Sequence, residues 1–153
     1  MDDLVLYGYI EKFLREKFEF LTQFGYGITS INYNCTNRYS GNNDLEIIFS
    51  NIILQRSFKI LYMHKGGAGG DEIINNFSFS MESLTSNLFI SDYMRFIHLD
   101  EIKYLWLNSF EGSFDEQLEQ LLDYTVDILQ TYLMPIIKGE EWIDLPTNWY
   151  GAK

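Results

Sequence analysis

The chain has 153 residues, 46% of them hydrophobic and 17% aromatic, which is enough apolar material for one domain with a packed core and too short for two. Twenty-two acidic residues against eleven basic ones give a formal charge of −11, a balance that disfavours phosphate backbones and anionic lipid as partners and favours a basic one. Every apolar run is interrupted by a charged or amide residue well before the roughly 18 residues of a spanning helix, so no membrane span is expected.

The start, Met1-Asp2-Asp3-Leu4, lacks the positive region and the small-residue cleavage site of a secretory signal. The single Cys35 has no second cysteine to pair with in the chain. Both point to a cytoplasmic protein.

Across residues 4–24, Leu6, Ile10, Phe13, Leu14, Phe20, Leu21 and Phe24 share one side of a helix, with Glu11, Lys12, Arg15, Glu16 and Glu19 on the other. Asp2 and Asp3 suit its positive N-terminal end, Glu11 to Arg15 and Arg15 to Glu19 have i,i+4 spacing, and Gly25 with Gly27 supplies a stop. Alternation then predicts a β-hairpin, Ile31, Tyr33 and Cys35 in its first strand and Leu45, Ile47 and Phe49 in its second, across the turn-prone Ser40-Gly41-Asn42-Asn43. A third strand is expected over residues 57–63, with Phe58, Ile60 and Tyr62 facing one way and Lys59, Leu61 and Met63 the other. The connection at residues 51–55 fits no single pattern. Beyond a glycine-rich loop at residues 66–70, Ile73, Phe77 and Phe79 suggest a fourth strand.

Residues 81–110 are compatible with short helices broken around residues 98–100. Ser113-Phe114-Asp115-Glu116 fits a capping box, in which the hydroxyl and the carboxylate each satisfy a free backbone N–H. It opens a long helix over residues 113–138 whose buried stripe is Leu118, Leu121, Leu122, Thr125, Leu129, Tyr132, Leu133 and Ile136. Pro135 should kink or end this helix, and Gly139 should stop it. Helix, antiparallel strands and helix in that order predict an α+β domain, a sheet meander covered on one face by the N-terminal and C-terminal helices. The other face, carrying Asn32, Asn34, Glu46, Ser50 and Lys59 at alternate positions, would be partly solvated.

No catalytic, cofactor or metal signature emerges. The glycines at 66–70 are followed by Asp71-Glu72, which would repel phosphate, and no Gly-Lys-Ser/Thr ending or βαβ context is present. His64 and His98 lack ligand spacing to other donors apart from Asp100-Glu101 just after His98. Cys35 sits in an alternating strand pattern with nothing marking a base or an oxyanion site, and there is no Gly-x-Ser-x-Gly elbow. Adjacent carboxylates such as Glu140-Glu141 do not flank a substrate as an acid/base pair does.

The informative feature is where the charge lies. Between Glu111 and Tyr150 nine acids, Glu111, Asp115, Glu116, Glu119, Asp123, Asp127, Glu140, Glu141 and Asp144, stand against Lys138 alone, −8 of the total −11. On a helix, Glu116, Glu119, Asp123 and Asp127 form one narrow stripe opposite the apolar face, where like charges a turn apart repel. A basic partner would relieve that repulsion; a solvated outer face is the plainer reading. Trp142, Trp149 and Tyr150 around the second acid cluster suit anchors of an interface or residues closing the helix pair.

In layout the chain resembles the small α+β immunity proteins encoded beside bacterial polymorphic toxins, including those of contact-dependent growth inhibition systems. The resemblance rests on the opening helix ending Phe18-Glu19-Phe20-Leu21-Thr22-Gln23-Phe24-Gly25-Tyr26, the meander after it, and the closing Tyr132-Leu133-Met134-Pro135-Ile136-Ile137-Lys138-Gly139-Glu140-Glu141-Trp142. It implies a cytosolic inhibitor, not an enzyme and without cofactor, that binds a cognate basic toxin domain, often a nuclease. Partner-binding residues are then expected among Glu116, Glu119, Asp123, Asp127, Glu140, Glu141 and Trp142. Two other classes compete: a ligand-binding or scaffolding α+β module, which would use an apolar pocket, and a hydrolase with dispersed carboxylates.

Overall fold

The computed structural model describes residues 3–34, 43–64, 77–97 and 110–145. Helix α1 (Asp3–Lys17) is followed by a 3-10 helix (Glu19–Phe24) and by strands β1 (Gly27–Asn34), β2 (Asn43–Asn51), β3 (Arg56–His64), β4 (Phe77–Glu82) and β5 (Asn87–Phe89). Helices α2 (Ile90–Ile97), α3 (Phe114–Tyr132) and α4 (Met134–Ile137) complete the described elements. The strands pair in chain order, each antiparallel to the next. The architecture is therefore α+β, an antiparallel meander with helices over one face.

Register explains the core. Ile31 of β1 lies opposite Ile47 of β2, which lies opposite Ile60 of β3, which lies opposite Phe79 of β4, so one row of apolar side chains crosses four strands on the same face. Onto this face α1 lays Tyr7, Ile10 and Leu14, all buried, and Phe18 beyond its end completes the layer. The Phe18 ring lies 5.2 Å from that of Phe58 and 6.0 Å from that of Phe79. Helix α3 packs against α1 and contributes Leu118, Leu121, Leu122, Ile128 and Leu129 to the same core. Each such buried side chain contributes about 2 kcal/mol of apolar transfer. On the opposite face Lys59 lies 3.4 Å from Glu46 and 3.9 Å from Glu82, and the hydroxyls of Thr29, Ser50 and Ser57 contact in a row at 2.9 Å. That face is polar at the alternate positions the strand pattern assigned to solvent.

Four local features refine this picture. The first helix is not uniform: after Phe18 the bonding tightens to i,i+3, beginning with Leu21 N–H to Phe18 O at 3.1 Å, which brings Phe18 and Leu21 into the core together. Glu11 and Arg15 pair at 2.7 Å, whereas Arg15 to Glu19 spans the change of helix type. Gly25 is the stop, left-handed at φ 87°, and Gly27 instead begins β1.

Second, the segment expected as short helices begins with the end of β4 and the whole of β5. Leu84 lies in a turn, where the Ser83 hydroxyl accepts the N–H groups of Thr85 and Ser86 at 3.3 and 3.1 Å and so competes with helix formation. Third, the long helix ends at Tyr132 and α4 starts anew with Pro135 in its first turn, because proline cannot donate to the ladder of α3. Fourth, the connection at residues 51–55 is a tight turn between β2 and β3, with Gln55 at φ 55°. Cys35, residues 66–70, Ile73, residues 98–109, Trp149 and Tyr150 lie outside the described residues.

Candidate functional site

The acidic surface begins at the start of α3. The Ser113 hydroxyl accepts the Glu116 N–H at 3.2 Å while the Glu116 carboxylate accepts the Ser113 N–H at 3.5 Å, the capping box read from the sequence. Glu116 is thereby committed to its own helix end. Asp115 accepts a hydrogen bond from the Tyr9 hydroxyl, and this contact is the main reason the Tyr9 phenol is held above its ordinary pKa.

One turn further, the stripe meets α1. The Lys17 ammonium lies 2.6 Å from Asp123 and 3.4 Å from Glu119; the bond to Asp123 raises the Lys17 pKa, and the partial burial that opposes it does not prevail. Glu119 and Asp123 are exposed, but they lean toward a neighbouring helix and not straight into solvent. The stripe thus has an internal counter-ion, which the sequence reading did not foresee because Lys17 lies more than a hundred residues away. Of the four residues, Asp127 alone makes neither an ion pair nor a cap among the described residues.

The second acid cluster is built differently. The Arg56 guanidinium, at the start of β3, donates to the backbone oxygens of Ile136 and Glu141, the latter at 2.7 Å, and stacks over the Trp142 ring with its carbon 5.2 Å from the centroid. The Trp142 indole N–H donates to Ser86 Oγ at 2.9 Å and Asp144 Oδ1 at 3.1 Å, and Ser86 in turn donates to Asp144 at 2.6 Å. Tyr26, 2% exposed, donates its hydroxyl to Ile137 O at 2.7 Å, and burial pushes its pKa up to about 12. Together these contacts clasp residues 136–144 onto the sheet end. Trp142 is half-buried, with its indole N–H and its ring engaged inside the fold.

Because Arg56 takes main-chain oxygens, the Glu140 and Glu141 carboxylates stay in solvent. No hydrogen bond, ion pair or ring contact joins this cluster to the α3 stripe among the described residues. All nine acids counted from the sequence are exposed. Among the described residues no group of three or more His, Cys, Asp or Glu is arranged to hold a metal ion.

The described residues form two surface hollows of note. One of about 430 Å³ is lined by Asn32, Tyr33, Asp44, Glu46 and Leu61; its two carboxylates lie on one strand, and Glu46 already carries Lys59. The Tyr33 hydroxyl donates to Glu11. Burial of Glu11 opposes ionisation, but the bonds from Tyr33 and Arg15 hold its carboxyl below the usual range. The other hollow, about 720 Å³, lies between the residue 51–55 turn and Phe24, Ile28 and Lys138, and Lys138 is the one ionisable group in its wall. Neither presents a nucleophile beside a base. No described helix is long and apolar enough to cross a membrane. Comparison with known protein families, with curated proteins and with solved structures finds no match for the chain.

Proposed function

We propose that the protein is a non-catalytic binding protein of the immunity type, acting in the cytoplasm, which captures a basic toxin domain such as a nuclease through its acidic C-terminal surface. The observation that carries this reading is the exposure of all nine acids between Glu111 and Asp144 with Lys138 as the one base among them. Such a surface raises the association rate with a basic partner and discriminates against acidic ones. Within it the carboxylates of Asp127, Glu140 and Glu141, which make no bond among the described residues, are the contacts of this reading. Glu119 and Asp123 would exchange Lys17 for a partner's cation. Trp142 holds Glu140 and Glu141 in place from behind.

The test is stopped-flow association with the basic toxin domain encoded beside this gene. Glu140→Lys with Glu141→Lys should slow association about tenfold at low ionic strength, with the difference closing as salt screens the field. The purified protein alone should hydrolyse neither nucleic acid nor ester substrates. An unchanged, salt-insensitive association rate would remove the acidic surface from the interface.

A further inference from the structure

Acidity is not the only unusual surface property. Ile52 and Ile53, 82% and 93% exposed, are the two most exposed large apolar side chains described, and they stand side by side at the tip of the β2–β3 turn. The turn beneath them is braced by hydrogen bonds. The buried Asn51 side chain donates to Phe24 O at 2.8 Å and accepts the Leu54 N–H at 2.9 Å, and the Gln55 N–H closes onto Ile52 O at 3.3 Å. Gly25 is required next to this anchor, since a Cβ there would lie 2.7 Å from Asn51 Nδ2. The isoleucines are held out in solvent by a built scaffold, so little conformational entropy remains to be lost when they are covered.

Beside the tip lies the 720 Å³ groove, walled by Phe24, Ile28 and Leu54 with the tip itself, and containing no acidic residue. Its one charge is Lys138, whose ammonium sits 5.9 Å over the Phe24 ring. Leu54 packs against Gly139, where a Cβ would come within 2.7 Å, so the next residues along, the solvent-facing Glu140 and Glu141, flank the same patch. An apolar knob, an apolar groove, one cation and two carboxylates thus share one surface.

We infer that this patch binds a second copy of the chain, as a two-fold dimer in which the Ile52–Ile53 tip of each copy enters the groove of the other. A self-complementary patch must carry both halves of its own contact, and this one does: the knob lies next to the groove, and Lys138 of one copy meets Glu140 and Glu141 of the other. At its centre there are no opposing carboxylates, although the chain carries a charge of −11. The dimer would share Glu140 and Glu141 with the proposed toxin contact, but its test uses the purified protein alone and so stands or falls without the toxin.

Sedimentation velocity of the purified full chain tests it, over a concentration series from about 1 µM to about 1 mM, the range a small interface populates. The wild type should pass from 18.1 kDa to twice that mass. Ile52→Glu with Ile53→Glu should stay at the monomer mass throughout with an unchanged circular dichroism spectrum, since both side chains leave the core untouched. Ile53→Thr, which keeps the branched backbone preference, should weaken the dimer, and Lys138→Glu should weaken it about tenfold. A wild type that remains monomeric, a double variant that associates like the wild type, or a ladder of species beyond the dimer would each overturn the inference.

Discussion

The two acidic stretches of the C-terminal half, four stripe carboxylates on α3 and three after it, are each met by a base from a distant part of the chain, yet the outcome differs. On α3, Lys17 takes the carboxylates themselves, so two of the four stripe residues are half-neutralised within the fold. At residues 136–144, Arg56 takes backbone oxygens, Asp144 accepts from Ser86 and Trp142, and the Glu140 and Glu141 carboxylates make no bond among the described residues. A count of acids therefore overstates what a partner can reach on the helix and describes it fairly on the segment after it. It also follows that the two bases matter unequally. Lys17 makes exposed, screened pairs worth well under about 1 kcal/mol. Arg56 makes charge-assisted bonds to two carbonyls, of which that of Ile136 also accepts the Gly139 N–H at 3.1 Å.

The largest effect should accordingly come from Arg56→Ala, which removes both carbonyl contacts and the stacking on Trp142. A loss of about 3 kcal/mol in urea unfolding is expected. Trp142→Phe retains an aromatic face for Arg56 but drops the indole bonds to Ser86 and Asp144, for a loss of about 1 kcal/mol. If Trp142 were a partner anchor and not a brace, Trp142→Phe would leave stability untouched and appear only in the dissociation rate of a complex.

The same contrast shows what could be read from sequence. Strand alternation and helical period placed the first four strands and both long helices, because each reports a local repeat against one apolar face. The capping box was legible for the same reason: Ser113 and Glu116 are three residues apart. Tyr7 and Phe18 were missed as core residues, the first because its hydroxyl reads as polar, the second because it stands where the helical period changes. The strand β5 is three residues long, too short for alternation to register. Of the candidate site, the exposure of the acids was foreseeable from their spacing, but Lys17, Arg56 and Tyr26 were not. Their partners lie far away in the chain and are brought close only by tertiary packing, and a lone polar side chain carries no periodic signal.

Alkaline pH separates the clasp from the stripe by titration. Tyr26 ionises at about 12 in the folded chain against 10.0 for an ordinary phenol. Its folded pKa is the higher one, so its contribution to stability is complete below pH 10 and declines as pH rises towards 12. Absorbance at 295 nm should show a tyrosine step near pH 12 that Tyr26→Phe reduces. Tyr33, raised to about 12 by burial and then by its bond to Glu11, should contribute to the same step. Removing the Tyr26 hydroxyl should flatten the fall in stability above pH 10, since its bond to Ile137 O is no longer there to lose.

The smallest effect concerns Lys17, and its sign is the informative part. Lys17→Met should cost about 0.5 kcal/mol or less, because Glu119 and Asp123 keep their water when the ammonium is gone. Glu119→Lys with Asp123→Lys is a different perturbation: it relieves the acid–acid repulsion along α3 but sets three cations together at the α1–α3 contact. A small net destabilisation is expected, where a helix read in isolation would be stabilised. Adding Lys17→Glu to that double variant restores opposite charges across the contact and should recover the lost stability, a coupling that a double-mutant cycle reads directly. Recovery would establish that the stripe is partly an internal helix–helix contact. If the reversed pair proved neutral and Lys17→Glu added nothing, the whole stripe would be open to a partner, and the difference between the two acidic stretches would disappear.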